Sequence, residues 1–129
     1  MSDKKANVGS IGWIDLTIPN AEGIRDFYSN VVGWKSSPVA MDGYSDYTMT
    51  EPESGMRLPA FVTLKKLMKG LPSQWLMYIV VSDIEKSTAA CTQLGGKILV
   101  ATKNMGSIGR NCVIQDPAGA VAALFQSAA

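Results

Sequence analysis

One segment of this chain is used twice. The stretch Gly12-Trp13-Ile14-Asp15-Leu16-Thr17-Ile18-Pro19-Asn20 alternates apolar and polar residues and runs into a helix start. Sixty-three positions on stands Leu76-Met77-Tyr78-Ile79-Val80-Val81-Ser82-Asp83, so that Ile14 answers to Met77, Leu16 to Ile79, Ile18 to Val81 and Asn20 to Asp83. The correspondence continues through Glu22 and Glu85, Val31 and Leu94, and Gly33 and Gly96. In a chain of 129 residues, about twice that period, this spacing of strand, cap, helix and terminal glycine means two copies of one unit.

Each copy reads as strand, helix and three strands. In the first, the strand over 11–18 ends at Pro19, and Asn20 caps the helix that follows. Ile24, Phe27, Tyr28 and Val31 stand at helical spacing and predict one buried face. Gly33 is the left-handed residue that ends the helix. Strands follow at 34–40, 44–50 and 56–64, separated by the turns Met41-Asp42-Gly43 and Glu51-Pro52-Glu53-Ser54-Gly55. Residues 1–9 read as a loose tail, and 65–73 as a linker punctuated by Gly70 and Pro72. The second copy opens with a strand at 74–81. Ser82-Asp83-Ile84-Glu85 has the spacing of a capping box. Ile84, Thr88, Cys91 and Leu94 give the second helix a thinner buried face, closed by Gly95-Gly96. Strands at 97–101, 110–115 and 120–126 complete it, with Asp116-Pro117-Ala118-Gly119 as a type I turn.

A four-stranded sheet with one helix leaves its other face bare, so two copies must cover each other. The expected fold is α+β: two βαβββ modules, about 10–65 and about 74–127, whose curved sheets form a cup-like half-barrel with the helices outside. The chain is read as one domain, 1–129, joined by a linker at about 66–73.

Composition excludes several functions. The net charge is +1, which supplies no field to gather nucleic acid or anionic lipid. The lysines at 65, 66 and 69 read as a solvated strand end and linker, with a phosphate site there as the alternative. Cys91 and Cys112 have no metal-ligand spacing, and Cys91 falls on the apolar stripe of the second helix. No apolar run approaches membrane-spanning length, and the first residues lack a secretory pattern, so the expected compartment is the cytoplasm. Histidine is absent, which removes the usual general base and the commonest metal ligand.

The paired strand-helix-three-strand modules, Asn20 to Tyr28 ending in Phe27-Tyr28, Gly33-Trp34 after the helix, and Asp116-Pro117-Ala118-Gly119 before the last strand resemble the vicinal oxygen chelate superfamily. That group includes glyoxalase I, extradiol dioxygenases, fosfomycin-inactivating enzymes and bleomycin-binding resistance proteins, and the resemblance spans roughly 11–126. It implies a divalent-metal site of histidine and glutamate at fixed strand positions. Those positions here are Trp13, Leu76, a place near Pro59, and Ala123. None is a donor, and no Glu or His occupies 56–64. No metal and no cofactor are expected, because a family-type site needs imidazole or carboxylate groups converging on one ion. Asp15 and Tyr78 fall on the same side of their strands as these positions, but one carboxylate and one phenol make a poor divalent site.

What remains is a lining. Trp13, Asp15, Thr17, Leu76, Tyr78, Val80, Val121, Ala123 and Phe125 would face the cup, an apolar and partly aromatic set with one carboxylate. Trp13 and Tyr78 would stack on a flat ligand or face a cation, and Asp15 would take an amine or hydroxyl. Three readings follow. The first is a metal-free binding protein for a small apolar or aromatic molecule, as the resistance proteins are. The second is an enzyme, using Asp15 as general acid or base or an unorthodox metal site. The third is a protein-interaction module whose cup is filled by its own side chains. The resemblance also implies a homodimer, to which open sheet edges are suited.

Overall fold

Asn20 starts the helix that follows the first strand. Its side-chain oxygen accepts the Gly23 amide at 3.0 Å, satisfying one of the donors that a helix start leaves open. The helix it caps, α1 (Ala21–Val32), follows β1 (Ile11–Ile18) and stops at Gly33, whose φ of 80° is left-handed and whose amide returns to Ser29 at 3.1 Å. Three strands then follow: β2 (Lys35–Ala40), β3 (Ser45–Thr50) and β4 (Arg57–Leu64). The order repeats as β5 (Trp75–Val80), α2 (Ile84–Gln93), β6 (Lys97–Asn104), β7 (Gly109–Gln115) and β8 (Val121–Ser127). The architecture is α+β with two βαβββ modules, as the repeat requires. The computed structural model describes residues 7–18, 20–40, 45–51, 53–54, 57–64 and 73–128. Pro19, the turn at Met41-Asp42-Gly43, Pro52, Gly55 and linker residues 65–72 therefore lie outside the described residues.

The chain divides into two compact units, Trp13–Trp75 and Met1–Gly12 with Leu76–Ala129. In the first unit the strand order is β2-β3-β4-β1, with β1 parallel to β4 and the rest antiparallel. Ile14 pairs with Ala60 and Leu16 with Val62, and Val62 pairs in turn with Tyr47. These residues share the face that α1 covers, and the core gathers Leu16, Ile18, Ala21, Tyr47, Met49 and Val62. Tyr28, Trp34 and Trp75 pack against its edge as an aromatic group.

In the second unit the order is β5-β8-β7-β6. Ile84, Cys112 and Leu124 form the core beneath α2, with Ile79, Val81 and Ile114 around it. Residues 7–10 are tied into this unit and are not a loose tail. The Gly9 amide donates to the Val80 carbonyl at 2.7 Å, and the Val80 amide to the Ser10 carbonyl at 2.9 Å. Strand ladders accept any chain that offers correctly spaced amides, which polarity along the sequence does not disclose.

Other expectations are corrected. Phe27 and Val31 are 53% and 61% exposed, because the stripe of α1 that meets the sheet is narrower and runs through Ala21, Ile24 and Tyr28. Leu94 is 77% exposed, since α2 ends at Gln93 and Leu94 lies beyond its last turn. The helix is capped by Asp83, which accepts the Lys86 amide at 3.1 Å. Glu85 does not close a capping box; its carboxylate receives both terminal nitrogens of Arg110 instead. Gln126 contributes a further cap, accepting the Ile84 amide at 2.8 Å. Strand β6 runs three residues past the expected Ala101, to Asn104, because register irregularities on either side of Val100 let it rejoin β7 at Lys103. Among the described residues, no helix is long and apolar enough to cross a membrane.

Candidate functional site

Alternation along β1 puts Trp13, Asp15 and Thr17 on the face of the first unit turned away from α1. Asp15 is Cα-paired with Phe61 of β4, and Phe61 with Thr48 of β3, so these three side chains stand in a row. Asp15 and Thr48 are the buried polar or charged side chains among the described residues, at 9% and 3% exposure. The Thr48 hydroxyl donates to the Ser37 carbonyl at 3.4 Å. Trp13 and Thr17 are half-buried.

The second unit has its own helix-free face. Tyr78 pairs with Ala123, Ala123 with Val113 and Val113 with Val100, while Val80 pairs with Phe125 and Phe125 with Asn111. Leu76, Tyr78, Val80 and Ala123 are buried, and Val121 and Phe125 half-buried. Each unit thus aligns its own share of the nine expected residues on one sheet face. Phe61, Thr48, Val113 and Asn111 belong to the same faces and were missed. The alternation of β3, β4 and β7, combined with strand pairing, would have found them.

The positions at which the superfamily's enzymes hold a metal do not fit one. Trp13, Leu76 and Ala123 offer indole, isobutyl and methyl groups, and Leu76 and Ala123 are packed at 2% and 0% exposure. Among the described residues, no group of three or more His, Cys, Asp or Glu side chains converges elsewhere. No donor set of the kind a structural or catalytic ion needs is offered among the described residues.

On the opposite, helix-covered side of the first unit there is a recess of about 450 Å³. Leu16 and Ile18 form its floor, and Ile24, Phe27, Tyr28 and Trp75 its walls. Asn20, Ser73 and Gln74 supply its polar atoms. The Trp75 indole N–H donates to the Tyr28 hydroxyl at 3.1 Å, and the two rings meet edge to face at 5.5 Å. None of the nine expected residues lines this recess.

Two βαβββ units with matching caps, each with its own helix-free sheet face, define the class: paired-module proteins built on one duplicated unit. Within it, the profile of the Glyoxalase/Bleomycin resistance protein/Dioxygenase superfamily matches residues 10–124, and the chain belongs to that superfamily. The chain is similar to the anthracycline biosynthesis protein DnrV of Streptomyces peucetius, 26% identical over 131 residues that cover 92% of this chain and 47% of that protein. It therefore spans about half the length of the curated relatives it matches. Among solved structures it shares its fold with a methylmalonyl-CoA epimerase from Mycobacterium tuberculosis, at a TM-score of 0.55 and 15% identity, covering 98% and 95% of the two chains. A superfamily member from Vibrio splendidus gives a TM-score of 0.57 at 14% identity, covering 89% and 97%.

Proposed function

We propose that this chain is a metal-free small-molecule-binding protein of its superfamily, taking an apolar or aromatic ligand against its helix-free β-sheet faces. In the first unit the binding residues are Trp13, Asp15 and Thr17. In the second they are the half-buried Val121 and Phe125, with Leu76, Tyr78, Val80 and Ala123 buried behind them on the same face. The observation that carries this reading is Asp15, a carboxylate kept at 9% exposure on a face that it shares with Trp13 and Phe61. Burying a carboxylate costs free energy that a methyl group would not. At Asp15 that charge stands where it would meet the amine or hydroxyl of a ligand whose rings lie on Trp13. The kinship with proteins of anthracycline biosynthesis supports a flat aromatic ligand.

The test is calorimetric titration with 1-naphthylmethylamine, an aromatic ring bearing an ammonium group. Binding is expected to survive a chelator, to weaken about tenfold in Asp15→Asn, and to disappear in Trp13→Ala. Absence of saturable binding in the wild-type protein would refute the reading. The same buried carboxylate favours a second reading, in which Asp15 moves a proton on the bound molecule. Turnover that is lost in Asp15→Asn while ligand affinity persists would separate it from the first. The two free thiols, Cys91 and Cys112, accord with a reducing cytoplasm. A homodimer completes the proposal, supported by relatives that are twice as long; sedimentation of the full chain at monomer mass would exclude it.

A further inference from the structure

The internal duplication supplies a control for the recess in the first unit. Ile24, Phe27 and Tyr28 answer, 63 positions on, to Ser87, Ala90 and Cys91. In the second unit the chain packs closely around Cys91, the counterpart of Tyr28. A Cβ placed on Gly96 would lie 2.6 Å from the Cys91 sulfur and 2.9 Å from the Gln115 carbonyl oxygen. The first unit has the same element order and the same capping positions, yet bulky residues stand where the second has small ones. Between them and the strand floor it keeps about 450 Å³ of space. The recess opens to solvent beside Asn20, Phe27 and Ser73, and 450 Å³ lies in the range of small-molecule sites.

We infer that this recess is a second ligand site, for a neutral, planar aromatic molecule of small size. Three observations define the ligand's chemistry. Its walls are aromatic and aliphatic: Ile24, Phe27, Tyr28 and Trp75. None of the described residues that line it is charged, so a ligand charge would be buried without compensation. Asn20 and Gln74 supply amide groups, enough to orient one polar substituent. The aromatic wall is held in place before any ligand arrives. The Trp75 indole is fixed on the Tyr28 hydroxyl at 3.1 Å, and Tyr28 stacks on Trp34 with centroids 5.8 Å apart. Fixed rings lose little freedom on binding, which favours affinity. The site is independent of the proposed one, because Leu16 and Ile18 point to the opposite side of β1 from Trp13 and Asp15.

The experiment uses two probes that differ by one charge: neutral N-phenyl-1-naphthylamine and its sulfonated counterpart, 1-anilinonaphthalene-8-sulfonate. The neutral probe is expected to bind one to one, at least about tenfold more tightly than the anionic one. Its binding should move the indole ¹⁵N–¹H resonance of Trp75. Phe27→Ala, which installs the second unit's residue at a half-exposed position, should weaken binding about tenfold. Leu94→Ser, on an exposed apolar residue of the other unit, should leave it unchanged. The inference is overturned if the wild-type protein shows no saturable binding, if Phe27→Ala binds as well as wild type, or if both probes bind equally. A shift confined to the Trp13 indole would place the probe on the other face of β1. That result would overturn this site and leave the proposed one standing.

Discussion

Replacing Gly96 by alanine puts a carbon where the second unit has no room. The new Cβ would stand 2.6 Å from the Cys91 sulfur, 2.9 Å from the Gln115 carbonyl oxygen and 3.1 Å from the Cys91 carbonyl oxygen. Two of these three neighbours are backbone atoms held by a helix and a strand, so they cannot swing aside. Overpacking of this kind costs about 1–3 kcal/mol. In a chain of this size that lowers the melting temperature by about 4 °C for each kcal/mol. Gly95, its neighbour, fails for a different reason. Its φ of +95° disfavours a side chain, while its nearest contact, the Pro117 ring, is an open 3.8 Å away. Cys91→Ala should therefore relieve Gly96→Ala and not Gly95→Ala. The relief is expected to be about 1 kcal/mol, a coupling seen only between groups in contact. It is partial because the Gln115 oxygen remains. Urea denaturation of the three single variants, the two double variants and the wild type measures it. Stability of Gly96→Ala within about 0.5 kcal/mol of wild type, or equal rescue of both glycine variants, would refute the close approach of α2 to its strands.

Three further outcomes follow from the packing and the charges. Met49→Ala removes a side chain with no exposure and should cost about 2–5 kcal/mol, whereas Leu94→Ala, 77% exposed, should stay within about 0.5 kcal/mol; chemical denaturation compares them. The hydrogen bond from Arg110 holds the Glu85 carboxyl below its ordinary value. The pair's support for folding is thus complete above the ordinary glutamate value of about 4.3 and fades as pH falls through the lowered one. Arg110→Met should return the Glu85 titration, followed by NMR, to the ordinary range. Burial pushes the Cys112 thiol up. A thiol reagent at neutral pH should accordingly leave Cys112 unmodified in the native protein and label it once the chain is unfolded.

Much of the fold was legible because a duplicated sequence states its own boundaries. Asn20 and Asp83 do cap the two helices, and Gly33 is left-handed as expected. The correspondence broke by one residue at the end of α2. There the left-handed residue is Gly95, while Gly96 serves close packing. Two adjacent glycines hide such a division of labour. Helix faces were read too widely, since periodicity shows which residues lie on one side of a helix but not how much of that side a sheet covers. Phe27 and Val31 are the result. The alternation of β1 placed Trp13, Asp15 and Thr17 opposite the helix. The recess stayed invisible because Tyr28 and Trp75 are 47 positions apart, and no local pattern joins them.

Calorimetric titration of 1-naphthylmethylamine into the full chain, before and after exhaustive chelation, tests the central claim most directly. The account predicts one isotherm, unchanged by the chelator and lost in Trp13→Ala. Binding that vanishes on chelation and returns with one equivalent of a divalent ion would contradict it.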